Sequence, residues 1–255
     1  MKASMLATHS HIFRTRVRQL GVYRALRLTL MKVLRKALLP DVEFHFGMTA
    51  EDIVVLFLAD KYLGRKKVTY VDIGCHEPKR ISNSYLLYLN GSTGLAVDLD
   101  SRYAAQFKRE RPNDIFVCAA VSDGAHQAVV HEFTAAEVAT IDPDQSKAWH
   151  DRFQATGCRL TQTVSLRDLL ARHLPQVAID ILLLDVEGHE LSVLRGAGLS
   201  SIRPAIVVCE LHNIKLAKAL ENPVVEFLSN AGYALAAYAT VNGYFVRRDL
   251  FEGIQ

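Results

Sequence analysis

The stretch Ile181-Leu182-Leu183-Leu184-Asp185-Val186-Glu187-Gly188-His189-Glu190 decides the fold class of this chain. Four consecutive apolar residues with no polar alternation read as a strand buried on both faces, the pattern of a central strand in a parallel sheet. An acid closes the run, and a short turn leads into residues that favour a helix. The same grammar recurs on either side. Strand-like runs are expected at Val68–Ile73, Gly94–Asp98, Ile115–Val121, Val129–Phe133, Ile179–Asp185, Ala205–Glu210, Ala234–Thr240 and Tyr244–Arg247. Helix-like runs at Ser82–Leu89, Arg102–Glu110, Ser165–His173, Glu190–Leu194 and Ile214–Ala231 fall between most of them. Strands alternating with helices build βαβ units, so the expectation is a doubly wound α/β fold with a mostly parallel sheet. Asn242-Gly243 separates the last two runs and signals a hairpin, so the sheet should end in an antiparallel pair.

Upstream of the first strand, Ala50–Tyr62 reads as a helix, with Thr49 as its N-cap and Gly64 as its stop. Further out, Phe13–Leu39 carries an apolar stripe interleaved with arginines and reads as a second helix, bent at Gly21 and ended by Pro40. Nine of the 30 Lys and Arg residues precede Asp41, whereas all 27 Asp and Glu residues follow Pro40. Residues 1–48 are therefore expected to form a basic amphipathic helical extension and residues 49–255 the α/β domain. A basic amphipathic helix either lies on an anionic membrane surface or docks on the body or on a partner subunit. The body is mildly acidic, which argues against nucleic acid as a partner. The oligomeric state is not legible. No apolar stretch reaches the ~20 residues that span a bilayer, and the first residues lack the apolar core of a secretory signal. Cys75, Cys118, Cys158 and Cys209 form no CxxC pair, so a zinc ribbon is not expected. Together these features predict a cytoplasmic protein, with peripheral contact to the inner membrane surface as the reading offered by its basic helix.

In a doubly wound sheet, ligands bind outside the carboxyl ends of the strands. Four strand ends here carry a carboxylate. The first is Asp72 in Val71-Asp72-Ile73-Gly74-Cys75-His76, where Gly74 would let backbone approach a ligand and Asp72 would suit a cationic ligand group. The turn is not G-x-G-x-x-G, so a dinucleotide is not indicated. The second is Asp98, at the position where such a site holds ribose hydroxyls, with Asp100 as an alternative that instead caps the next helix. The third and fourth are Asp185, with Glu187 two residues on, and Glu210, followed by His212. Asp185, Glu187, His189 and His212 could supply a general base, and Asp185 with Glu187 could hold a divalent metal. Glu190 is read as favouring the helix N-terminus that follows. Ser122 follows the third strand, where Val121-Ser122-Asp123-Gly124 either lines a pocket for a flat base or makes a hairpin turn. The polar segment Phe133–Cys158, with Trp149, reads as a lid or an acceptor-binding insertion.

From about Tyr70 to Arg248 the chain resembles the FkbM-type methyltransferases. The resemblance is carried by Val71–His76, Ser82-Asn83-Ser84-Tyr85, Val97-Asp98, Asp185–Leu194 and Pro204–Glu210, in that order and spacing. It implies a Rossmann-like, seven-stranded sheet, S-adenosylmethionine as methyl donor, and O-methylation of a hydroxyl on a sugar, glycan or natural product. Carried over by position, the Asp72–His76 turn would hold the methionine part of the donor, Asp98 its ribose, and Asp185 and Glu187 would face the methyl group and the acceptor. Cys75 and Glu77-Pro78 stand where many members have small residues and a second Gly, and Leu183 stands where many have Lys. Two rival readings remain at this stage: a cofactor-binding or membrane-proximal scaffold without catalysis, and a nicotinamide-dependent oxidoreductase on a related fold.

Overall fold

A computed structural model describes residues 2–38, 44–212 and 214–253; the expected stop at Pro40 lies outside them. The chain opens with α1 (Lys2–Leu38), which breaks at Gly21, where φ is 77° and ψ 163°. Then come α2 (Glu51–Leu63), β1 (Thr69–Ile73), α3 (Tyr85–Leu89), β2 (Thr93–Asp98), α4 (Tyr103–Glu110), β3 (Ile115–Cys118), β4 (Ala120–Ser122) and β5 (Gln127–Phe133). The second half holds α5 (Pro143–His150), β6 (Ala155–Ser165), α6 (Leu166–His173), β7 (Ile181–Leu184), α7 (Glu190–Ala197), α8 (Leu199–Ile202), β8 (Ile206–Glu210), α9 (Pro223–Asn230), β9 (Tyr233–Ala239), β10 (Asn242–Arg247) and α10 (Arg248–Glu252).

The main sheet has seven strands in the order β3-β2-β1-β7-β8-β10-β9. It is parallel except at β10, which runs antiparallel to both neighbours. The expected α/β class and the antiparallel end are thus both present. The order reverses between β1 and β7, which makes the mouth between them a topological switch point. Both sheet faces are covered, as the unbroken apolar run of β7 requires. Leu182 and Leu184 pack with Leu166, Leu169, Val193, Leu194 and Leu228 from α6, α7 and α9. Ile181 and Leu183 face the opposite layer, with Val55, Leu58 and Ala59 of α2. Burying each such side chain stabilises by roughly 1.5–3 kcal/mol, and these layers fix the sheet.

Several local expectations are corrected. The run Ile115–Val121 breaks at Ala119 into β3, the edge of the main sheet, and β4, which joins a separate sheet of order β4-β6-β5. The polar segment Phe133–Cys158 therefore runs into a strand, β6. Most of that strand is exposed, so no hydrophobic alternation marked it. Because β6 lies between β4 and β5, Asp123-Gly124 does not close a hairpin. The expected helix Ile214–Ala231 divides into a 3₁₀ turn, Leu216–Glu221, and α9, because Pro223 starts a new helix that Asn222 caps by accepting from the Val224 and Val225 N–H groups. Asn242 and Gly243 sit inside β10 opposite Ala239 and Tyr238; the reversal falls one step earlier, where Thr240 takes a φ of 57°. Thr49 is not the cap of α2. Ala50 precedes that helix in the left-handed region, and the Glu51 carboxylate instead accepts from Thr49 N–H at 2.9 Å.

The helix α1 docks through its middle. Leu20 packs with Tyr85, Tyr88 and Leu89, Gln19 Nε2 donates to Ser92 O at 3.1 Å, and Arg24 pairs with Glu110 at 2.7 Å. Beyond Gly21 the helix turns Val22, Tyr23, Leu26, Leu30, Val33 and Leu34 to solvent.

Candidate functional site

A cavity of about 450 Å³ opens at the carboxyl ends of β1, β2, β7 and β8, a size ordinary for a small-molecule site. Ile73, Gly74 and His76 form one wall, Asp98 and Leu99 another, and Ala119, Ala120 and Val121 a third. Asp185, Glu187, Glu210 and His212 make the polar end, and Trp149, Arg152 and Phe153 reach over it from the end of α5 and the loop after it.

The backbone builds this cavity. Gly74 has a φ of 79°, and a Cβ there would lie 1.7 Å from the Asp185 carbonyl oxygen. Gly74 is thus needed where the chain leaving β1 crosses the chain leaving β7, and it also lines the cavity. Its N–H and that of Cys75 donate to Val97 O, at 2.9 and 3.1 Å, and tie the turn to β2. His76 also takes a positive φ, of 51°, and its N–H donates to Asp98 Oδ2 at 2.8 Å. Asp98 Oδ1 accepts from Asp100 N–H at 2.9 Å. Burial raises the Asp98 pKa, against the pull of those two N–H groups. The carboxylate is held firmly at the cavity wall, and each oxygen keeps a lone pair for a hydroxyl. His76 Nδ1 is buried there without a partner. Asp100 accepts from Arg102 N–H at 2.8 Å in the turn that leads into α4, where Arg102 is the N-cap residue.

Asp72 and Ser122 lie elsewhere than expected. Strand alternation turns Asp72 to the face of Tyr70, away from the cavity-lining residues, where its carboxylate accepts from Ser84 Oγ. That hydroxyl also receives Arg111 Nη2 at 2.9 Å, and Arg111 pairs with Asp114 at 2.6 Å in full burial. Asp72 thus belongs to a buried network under α3, and burial lifts its pKa to about 6. Ser122 does not line the cavity; its Oγ lies 2.8 Å from His189 Nε2, and Val121 faces the cavity instead. Burial lowers the His189 pKa, which favours the neutral imidazole.

Asp185 and Glu187 both reach the cavity, though not by strand alternation. The strand ends at Leu184, and Glu187 sits in the left-handed region with a φ of 53°, a conformation that costs a non-glycine residue about 1 kcal/mol. The segment before α5 holds it there, since Thr140 Oγ1 donates to Glu187 O at 2.8 Å. Glu190 caps the turn by accepting from Val186 and Gly188 N–H, at 3.1 and 3.3 Å, as its reading as a helix-start residue implied. Burial lifts the Asp185 pKa well above its ordinary value, and neighbouring Glu210 adds to this; burial likewise takes Glu187 up to about 8. His212 Nε2 lies 3.1 Å from Glu210 Oε2 and 3.9 Å from Glu187 Oε2, and Glu210 raises its pKa. Among the described residues, Glu187, Glu210 and His212 are the group whose ligand atoms converge, all within 4.8 Å of one another. Of the two residues expected to hold a metal, Glu187 belongs to this group and Asp185 does not.

The cavity residues that sequence reading did not single out are mostly apolar, such as Met48, Ile81, Val138 and Val241. They come from loops and, for Val138, a 3₁₀ turn, and no residue type or spacing distinguishes them in the sequence. The Asp142-Pro143 helix start was the one available sign that the segment carrying Trp149 is ordered. Asp142 caps α5 by accepting from Asp144 and Gln145 N–H.

Residues 72–235 match the family model described as the methyltransferase FkbM domain. No curated protein matches the sequence. Among solved structures, the chain is similar to the methyltransferase FkbM from Methylobacillus flagellatus KT, at 14% identity and a TM-score of 0.42, over 71% of this chain and 44% of that one. It therefore spans less than half the length of that structure. It is also similar to a TehB-like SAM-dependent methyltransferase from Corynebacterium glutamicum, at 12% identity and a TM-score of 0.41, over 88% of this chain and 99% of the other.

Proposed function

The chain belongs to the family of FkbM methyltransferases, and from that premise we propose that it moves the methyl group of S-adenosylmethionine to a hydroxyl of a sugar, glycan or natural-product acceptor. The observation that carries the choice of donor is Asp98. It ends β2 beside the switch point, is oriented by two backbone N–H groups, and has free lone pairs toward the cavity, as recognition of a ribose cis-diol requires. The unpartnered Nδ1 of His76 suits the amino-acid end of the same molecule. Leu99, Ala119, Ala120 and Val121 give an apolar wall for a flat base.

S-adenosylmethionine supplies, when bound, a methyl group made electrophilic by a sulfonium sulfur. The protein's share is alignment, exclusion of water and removal of the acceptor's proton. Gly74 and the Asp185 backbone fix the floor of the cavity. Trp149 and Phe153 close its polar end against water. The wall of Asp185, Glu187, Glu210 and His212 receives the acceptor hydroxyl and its proton. His189 is the weaker candidate for that proton, because Ser122 Oγ already occupies its Nε2.

The test is calorimetric titration with S-adenosylhomocysteine, with Asp98→Ala as control. Micromolar binding that Asp98→Ala weakens by at least about tenfold, roughly the loss of one charge-assisted hydrogen bond, supports the reading. A folded wild-type protein that binds none would turn the assignment toward a nicotinamide cofactor or a scaffold.

The same reading includes peripheral contact of α1 with an anionic membrane. Val22, Leu26, Leu30 and Val33 recur at helical spacing on an exposed face, the opposite side docks through Ala25 and Leu28, and the first 40 residues carry nine Lys and Arg and no acid. A second copy of this helix would bring like charges together, whereas anionic headgroups complement them. No helix of the described residues is long and apolar enough to cross a membrane.

A further inference from the structure

The polar end of the cavity has a feature that methyl transfer by alignment alone leaves unexplained. Glu187 Oε2, Glu210 Oε2 and His212 Nε2 lie close together, are closed to solvent and, like Trp149 Nε1 at the same end of the cavity, make no well-formed hydrogen bond. His212 Nε2 stands 3.1 Å from the Glu210 oxygen and 3.9 Å from the Glu187 oxygen. The three side chains come from two separate strand ends: Glu187 from the turn after β7, Glu210 and His212 from the end of β8. Two carboxyl groups converging in a buried pocket are costly to hold as anions without a compensating cation. Glu190, a further acid of the turn after β7, is already satisfied by the backbone N–H groups of that turn.

We propose that Glu187, Glu210 and His212 form a site for one divalent cation at the acceptor end of the cavity. Atoms that ligate one ion at about 2.0–2.2 Å lie roughly 3–4 Å apart from each other, and the two distances from the histidine nitrogen fall in that range. Two carboxylates and one imidazole make a mixed hard and borderline set. That set suits Mn²⁺ or Zn²⁺ better than Mg²⁺. Three protein ligands leave positions open on the ion, as sites that bind substrate do, and all three side chains line the cavity. An acceptor hydroxyl filling one would have its pKa lowered. This last role rests on the methyltransferase reading; the binding of the ion does not.

The test uses the full chain, stripped of metal with a chelating resin. Mn²⁺ is titrated and the free ion followed by electron paramagnetic resonance, and Zn²⁺ is titrated in parallel by calorimetry. One equivalent of either ion should bind saturably, and Glu210→Gln and Glu187→Gln should each weaken it by tenfold or more while circular dichroism shows the fold intact. His212→Gln should do the same. Asp98→Ala should retain the ion and lose S-adenosylhomocysteine. If folded wild-type protein binds neither ion saturably, or if the Glu→Gln variants bind as wild type does, the site is only a histidine–carboxylate cluster and the proposal fails. Ion binding without S-adenosylhomocysteine binding would keep the metal site and remove the methyltransferase reading.

Discussion

Gly74, just past β1, and Asp72, within it, limit what the fold around the site can tolerate. A methyl group on residue 74 would sit 1.7 Å from the Asp185 carbonyl oxygen, on backbone already at a φ of 79°. No rotamer relieves a backbone clash, so the strands must part. Gly74→Ala should cost more than about 2 kcal/mol in urea unfolding and weaken S-adenosylhomocysteine binding, since β1 and β7 frame the cavity. Retention of wild-type stability would show that the two chains do not cross this closely. Asp72 makes a different kind of prediction. It is buried beside Ser84, Arg111, Asp114 and Asp98, and burial lifts its pKa from 3.8 to about 6. A carboxyl whose pKa is raised on folding stabilises the protein fully below its unfolded value. It gives that stability up as pH rises toward the folded value, at up to about 1.4 kcal/mol per pH unit. Asp72→Asn cannot ionise, so between pH 3.8 and about 6 its stability should fall less steeply than that of wild type. Parallel stability–pH curves for the two proteins would contradict this.

At the scale of elements, capping residues decide where the sequence pattern stops being readable. Asp142 holds the first turn of α5 through Asp144 and Gln145 N–H, and the last turn of α5 with the loop after it brings Trp149 and Phe153 to the cavity. Losing such a cap costs about 1 kcal/mol. Asp142→Ala should therefore speed amide exchange across residues 143–150 about fivefold, with exchange in β7 unchanged. Equal acceleration in both would mean that α5 opens only with the whole fold. The elements legible in advance were those whose burial imposes a pattern. Four apolar residues in β7 face two packed layers, and the reading followed. β6 escaped because most of it faces solvent and needs no alternation. The split at Asn222-Pro223 was written in the residues but outweighed by apolar spacing on both sides. The candidate site divides similarly. The acids at strand ends were visible because parallel topology places strand ends together. That Asp72 faces the other side, or that Glu187 meets Glu210 and His212, depends on pleat and turn geometry that spacing does not encode.

Over the whole molecule, charge and apolar exposure are segregated rather than mixed. All the acidic residues lie after the first 40 positions, and nine basic residues lie before them. The face of α1 beyond Gly21 leaves Tyr23 77% and Val33 60% exposed, so large apolar area and positive charge occupy the same element. If that element meets a membrane, two forces act together. Apolar burial depends little on salt, whereas attraction of each basic residue to anionic headgroups, about 1 kcal/mol near the surface, is screened over roughly 8 Å at physiological ionic strength. Binding should then require both. Wild-type protein should pellet with phosphatidylglycerol-containing vesicles at low salt, weaken as salt rises, and leave pure phosphatidylcholine vesicles largely free. Leu26→Glu with Leu30→Glu changes two solvent-facing positions, 53% and 58% exposed, so the fold and S-adenosylhomocysteine binding should survive while vesicle binding falls by tenfold or more. Equal pelleting with neutral vesicles, or no effect of the double substitution, would leave the stripe without a membrane role. A shift of wild type to a dimer in sedimentation, abolished by the same two substitutions, would identify a second copy as its partner instead.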